Sequence, residues 1–392
     1  MTTHPSQPFD WRSAVVDPAP LAPEGFRSLV TPTSRGSTTL FERAADLRDD
    51  WDAEKSPYTY GLHGTPTVLE LGARIARIEQ GRHCFITPGG QAAIALIYLA
   101  FCGAGDHALL PETAYGPNQG LAGGLMQRLG VEVETYDPMI GAGIAALIRP
   151  NTRLVWCESP GSATMEIQDV PAIAAAAHRA GAVVALDNTY AAGVLFDAFA
   201  HGVDVTMQAL TKYIGGHSDL LLGSVTCRDE AHYRALGEAR NFLGMAASPD
   251  DCSLALRGLQ TLAVRLDQLE RSALEVAQWL AARPEVQTVL HPALPSCPGH
   301  EIWRRDFTGS ASVFSIVLGP QPGRAQIEAF VDRLRLFKIG YSWGGVTSLV
   351  APYFKLRRTV RPYGDRLVRL NVGLEPAPLL IADLEQALSA LG

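Results

Sequence analysis

Between residues 107 and 227, short and almost wholly apolar runs alternate with stretches of helical spacing, and this alternation restricts the fold more than any other feature of the chain. The apolar runs fall at 107–110, 131–136, 154–157, 182–186, 203–208 and 221–227, and helical periodicity predicts helices over 91–102, 116–129 and 170–180. A strand apolar on both faces is buried on both faces, and helical crossovers leave successive strands parallel. The expectation is an α/β domain on a large, mostly parallel sheet. It should begin at Thr65-Pro66, where the hydroxyl suits a helix cap and proline the first turn. Val68, Leu71, Ile75 and Ile78 then follow at helical spacing.

A chain of 392 residues is too long for one ordinary core. Residues 1–64 hold Pro5, Pro8, Pro18, Pro20, Pro23, Pro32 and Pro57 and no sustained periodicity, so they read as an N-terminal arm. Its aromatic residues Trp11, Phe26, Phe41, Trp51, Tyr58 and Tyr60 imply that the arm packs on something, such as a neighbouring subunit. Beyond residue 248 the texture changes. A helical stretch over 250–282, strands near 286–291, 312–317 and 367–371, and helices near 324–334 and 379–391 predict a smaller α+β domain. The division expected is therefore 1–64, 65–248 and 249–392.

A net charge of −7 gives no basic footprint for nucleic acid. No run of about eighteen apolar residues predicts a membrane span, and residues 1–11 lack the apolar stretch of a signal peptide, so the cytoplasm is expected. The six cysteines are scattered without a CxxC pair, which suits free thiols and no metal site.

Five features carry chemistry. Lys212, in Ala209-Leu210-Thr211-Lys212-Tyr213, lies just past an apolar strand, where open parallel sheets bind ligands. An amine there suits an imine with a carbonyl cofactor, although most lysines are simply solvated. Asp187 ends the buried strand before Asn188-Thr189; it suits a partner for a protonated ring nitrogen, or else a helix cap. Gly89-Gly90-Gln91 opens a helix whose free N–H groups suit a phosphate. Tyr115 follows the next strand, where it can stack on a flat ring or serve the core. Arg369 lies between apolar neighbours and needs an anion, either a substrate carboxylate or a structural ion pair.

The order of these features, with Glu158-Ser159-Pro160-Gly161-Ser162, Asp187-Asn188-Thr189-Tyr190-Ala191-Ala192-Gly193, Thr211-Lys212-Tyr213 and His291-Pro292-Ala293-Leu294-Pro295, resembles the cysteine/methionine-metabolism family of fold-type I pyridoxal-phosphate enzymes. The likeness runs from about Tyr58 to the C-terminus and leans to the family's cystathionine β-lyase branch. It implies pyridoxal 5'-phosphate held by Lys212, with Asp187 at the pyridine nitrogen and Tyr115 on the ring. Gly90, Gln91 and Thr211 would bind the phosphate, with Thr189 also at the cofactor. Arg369 and Ser342 would hold the substrate carboxylate, and Trp343 would shape the pocket around the leaving group. Tyr60 would reach the active site of an adjacent subunit in a homotetramer. The implied reaction is α,β-elimination of L-cystathionine to homocysteine, pyruvate and ammonia, with Lys212 and Tyr115 handling protons. Pro117 and Trp343 are the features that favour β- over γ-cleavage.

Three positions depart from the family pattern. Leu62 stands where the arm usually brings an arginine to the phosphate, Ala209 where many relatives have serine, and Asn241 where close relatives have tyrosine. The competing readings are a lyase for cystine, cysteine conjugates or methionine, and a binding protein that has lost catalysis. A dinucleotide dehydrogenase is disfavoured, since no strand is followed by GxGxxG.

Overall fold

The computed structural model describes residues 28–56, 58–356 and 358–391. Its larger sheet comprises β1 (His83–Thr87), β2 (His107–Pro111), β3 (Glu132–Tyr136), β4 (Thr152–Glu158), β5 (Val183–Asp187), β6 (Val205–Gln208) and β7 (Gly223–Cys227), in the order β1-β7-β6-β5-β4-β2-β3. β7 runs antiparallel to both its neighbours, and the other pairs are parallel. All six expected strands are present. β1 is additional, because its ends are polar and its partner β7 is far away in sequence.

Helices α1 (Pro66–Ile78), α2 (Gly90–Phe101), α3 (Gly116–Leu121), α4 (Val170–Arg179) and α5 (Glu230–Phe242) accompany this sheet. Alternate residues of β4 enter different cores: Leu154 and Trp156 join α2, where Tyr98 stacks on Trp156 at 5.6 Å, while Val155 and Cys157 join α4. α3 continues as a π turn, Ala122–Met126. Thr65 occupies the N-cap position of α1, but contrary to expectation its hydroxyl makes no capping bond. α5 escaped the sequence reading because its buried stripe is thin, only Tyr233, Leu236, Gly237 and Arg240.

The second sheet, β8 (Val286–Leu290), β9 (Val313–Leu318), β10 (Lys338–Ile339), β11 (Leu349–Pro352) and β12 (Leu367–Asn371), has the order β10-β11-β12-β9-β8. It is accompanied by α6 (Pro249–Leu259), α7 (Leu262–Ala281), α8 (His300–Asp306), α9 (Arg324–Arg333) and α10 (Ala377–Leu388). The single helix expected over 250–282 is in fact two. At the break, Arg265 donates to Gly258 O, in the last turn of α6, and to Tyr213 O, just past Lys212, each at 2.7 Å. Gly258 is dictated by a separate close approach of the turn after Lys212, since a Cβ there would lie 2.2 Å from Ile214 O.

Chain contacts separate Met1–Pro32 from a compact unit Thr33–Gly392 that contains both sheets. Of the expected arm, residues 1–27 (with Trp11 and Phe26) and Pro57 lie outside the described residues. Between Thr33 and Gly64 there are a 3-10 turn, Ala44–Asp46, and one antiparallel bridge, Thr38 to Tyr60. Trp51 packs edge-on against Tyr233 at 5.4 Å, so this part of the arm rests on its own chain. All six cysteines are free, and no helix among the described residues is long and apolar enough to cross a membrane.

Candidate active site

The carboxyl ends of the parallel strands open into a cavity of about 450 Å³, lined by Gly90, Tyr115, Asp187, Lys212, Trp343 and Arg369 among others. Lys212 lies in the turn after β6, and its Nζ donates to Ser342 Oγ at 2.6 Å while lying 5.4 Å from the Trp343 ring. Burial first, and then the Arg369 charge, push its ammonium down to about 8, with Asp187 opposing both. A lysine so poised gives up its proton far more readily than one in water.

Asp187 ends β5. Its Oδ1 accepts the Thr189 N–H at 3.0 Å and the Thr189 hydroxyl, and that hydroxyl accepts Ala209 N–H at 2.9 Å. Burial raises the carboxyl, and the Thr189 bonds and Lys212 pull it back. In the next strand Glu158 is in register with Asp187. Burial, and then the neighbouring Asp187 charge, hold Glu158 well above the usual carboxylate range. Glu158 Oε2 accepts Tyr115 N–H at 2.8 Å, which ties the start of α3 to the sheet.

The N-terminus of α2 meets the cavity at Gly89, Gly90 and Gln91 and has no side-chain cap, so its first N–H groups are free for an anion. Gly90 permits a close approach: a Cβ there would lie 2.8 Å from the Ala209 Cβ. Thr211 lines the same end, but its hydroxyl donates to Leu222 O and accepts Leu222 N–H, both at 3.2 Å, so it serves the turn.

Arg369, on β12, is buried. It donates to Tyr353 OH at 2.7 Å and to Ser342 O at 3.1 Å, and no carboxylate pairs with it among the described residues. The structural ion pair considered from sequence is therefore not found there. Ser342 has φ +79, a left-handed conformation that costs a non-glycine residue about 1–3 kcal/mol. That conformation lets one residue serve Lys212 through its hydroxyl and Arg369 through its carbonyl. Trp343 packs on Tyr213 at 5.3 Å, next to Lys212.

Tyr60 is not in this cavity. It is half exposed, with its ring 6.1 Å from that of His63. The departures Leu62 and Asn241 belong to the same patch: His63 Nε2 bonds Asn241 Oδ1 at 3.2 Å, and Arg240 donates to Leu62 O at 3.1 Å. Sequence reasoning missed Tyr353 and assigned Glu158 no role, although Glu158 stood within a quoted motif. Tyr353 sits in a segment without periodicity and gave no signal. Away from the cavity, His107 lies beside Glu132 and Glu134, whose charge Arg149 already answers.

An uncapped helix end, a cavity-facing carboxyl, a lysine of lowered pKa and an arginine without a carboxylate partner among the described residues are the donor set that pyridoxal phosphate and an amino acid require. The family described as Cys/Met metabolism PLP-dependent enzyme matches residues 14–389. The chain belongs to this family. Like its members, this Cys/Met metabolism enzyme uses pyridoxal phosphate. It is 46% identical over 364 residues to a putative cystathionine beta-lyase of Rhizobium johnstonii, covering 92% of this chain and 91% of that one. It is 44% identical over 334 residues to cystathionine beta-lyase MetC of Escherichia coli, covering 83% and 84%. Among solved structures it resembles cystathionine gamma synthase from Xanthomonas oryzae pv. oryzae in complex with cystathionine, with a TM-score of 0.86 and 32% identity over 94% of this chain and 95% of that one. One fold thus hosts more than one reaction, and the site must decide between them.

Proposed function

We propose that this enzyme is a carbon–sulfur β-lyase that cleaves L-cystathionine to homocysteine, pyruvate and ammonia. The observation that carries the reading is the chain from Lys212 through Ser342 to Arg369, which sets a proton-accepting amine beside a buried cation that has no carboxylate partner among the described residues. Bound pyridoxal phosphate supplies an electron sink that acidifies the substrate α-carbon. Gly90 and Gln91 would offer backbone N–H groups to its phosphate, and Asp187 would keep its ring nitrogen protonated.

Arg369 grips the α-carboxylate through its planar fork and so fixes the orientation of Cα. Lys212 Nζ, steadied by Ser342 Oγ, takes the α-proton. The Cβ–S bond then breaks, and Lys212 or Tyr115 returns a proton to the sulfur to give homocysteine. The three-carbon enamine left behind is released and takes up water to give pyruvate and ammonia. The half-buried Trp343 indole excludes water beside that bond. Together with Pro117 it supports β- rather than γ-cleavage.

The half-exposed Tyr60 and the exposed Leu40 and Leu47 suit an arm whose tip serves a neighbouring copy, as in a homotetramer with shared active sites. A cytoplasmic location and a division into 65–248 and 249–392 complete the proposal. Incubating the reconstituted protein with thioether amino acids tests it. Pyruvate and thiol in equal amounts are expected from cystathionine, whereas a four-carbon oxo acid would mean γ-cleavage, and no product from any of them would leave a binding protein.

A further inference from the structure

The cavity is walled from two sides. Tyr115 and Asp187 come from the larger sheet, and Arg369 and Trp343 from the β12 side, so substrate binding depends on the distance between the walls. The segment joining β11 to β12 crosses between them. At its start Tyr353 OH receives Arg369 at 2.7 Å. Farther along, Arg358 donates to Ser162 O at 3.2 Å and Arg361 to Asp137 Oδ1 at 3.4 Å, both on the larger-sheet side. The densest tie falls on Glu112, just past β2 and three positions before Tyr115. Its carboxylate accepts the Thr359 N–H and hydroxyl, and the Val360 N–H at 3.1 Å.

We propose that Glu112 is a positioning residue, latching the 358–361 segment onto the Tyr115 loop and thereby setting where Arg369 meets the substrate carboxylate. Its backbone joins the same arrangement, since Gln119 donates to Glu112 O at 2.6 Å and to Ala114 O at 3.0 Å. Three hydrogen bonds on one carboxylate hold two stretches 247 residues apart in sequence. Glu112 does not line the cavity, so its effect falls on binding and not on the proton transfers of Lys212.

The inference rests on the amino-acid site argued above but not on which sulfur compound is cleaved. The test titrates the holoenzyme with L-alanine, which has no leaving group at Cβ, and follows the visible absorbance of the bound cofactor. Glu112→Ala is expected to shift the titration to about fivefold higher concentration, as loss of a partly exposed hydrogen-bonded carboxylate implies. Cofactor occupancy should hold. KM should rise by a similar factor while kcat stays within about twofold, since uniform binding alone is lost. Glu112→Gln, which keeps one acceptor oxygen, should recover part of the loss. Thr359→Val removes only the hydroxyl and should shift the titration by about twofold, so the test survives if the alanine variant does not fold. Unchanged titrations in the folded variants overturn the latch. A wild-type holoenzyme that gives no absorbance change with any amino acid overturns the site reading, and the latch with it.

Discussion

Arg369→Met removes the buried guanidinium and keeps an unbranched side chain. The free enzyme loses two contacts, to Tyr353 OH and Ser342 O. The substrate complex loses a bidentate carboxylate clamp. Hydrogen bonds to charged groups contribute about 1.5–3 kcal/mol each, so two of them amount to about 3–6 kcal/mol. At about 1.4 kcal/mol per tenfold, kcat/KM should fall by about 10²- to 10⁴-fold. Stability should move little or rise, because a buried cation with no carboxylate partner among the described residues bears its desolvation cost alone. Arg369 also depresses Lys212, second only to burial, so the lysine of the variant should titrate above about 8 in the cofactor-free protein. Pyruvate release coupled to NADH oxidation measures the first effect, thermal melts the second, and pH-dependent amine labelling of Lys212 the third. A variant within tenfold of wild type in kcat/KM, with the lysine unmoved, would refute the assignment of Arg369 to the substrate carboxylate.

Three further outcomes follow from the same geometry. Lys212→Ala should abolish pyruvate formation while leaving the far-UV circular dichroism unchanged; measurable turnover at the wild-type rate would remove the proposed base. Glu158 has a raised carboxyl pKa, so the folded state retains its proton and loses stability as pH rises above the ordinary carboxylate range. Glu158→Gln should therefore gain stability relative to wild type between pH 5 and pH 9 in urea titrations, and a difference that stays constant with pH counts against a neutral Glu158. Gly258→Ala would bring a Cβ to 2.2 Å from Ile214 O, a backbone clash that should cost about 1–3 kcal/mol and show as a lowered urea midpoint at equal slope.

Legibility in the sequence followed locality. β4 and β5 announce themselves because Leu154–Cys157 and Val184–Leu186 are apolar on both faces, whatever they pair with. β1 does not, since His83-Cys84-Phe85-Ile86-Thr87 becomes a strand only through pairing with β7, about 140 positions later. β11 is four residues after a glycine-rich loop and escapes for the same reason. In the site, Lys212, Asp187 and Gly90 were readable because each follows or opens an element at the sheet's carboxyl edge. Tyr353, Glu112 and Arg358 were not, for they act through a loop that acquires meaning only once two sheets face each other. The helix expected over 250–282 failed at Gln260-Thr261 because the interruption is made by Arg265 reaching back from the following turn, a tertiary cause with no periodicity to mark it.

The Arg265 guanidinium has a practical corollary. It ties Tyr213 O, one residue beyond the lysine, to a helix of the C-terminal half. A fragment stopped near residue 248 would carry the amine and its facing aspartate, yet its lysine turn would lack this clasp. Chimeras that exchange C-terminal halves between relatives must match Gly258 and Arg265 of the incoming half to the 213–216 turn of the retained one, where Gly216 leaves room for the guanidinium.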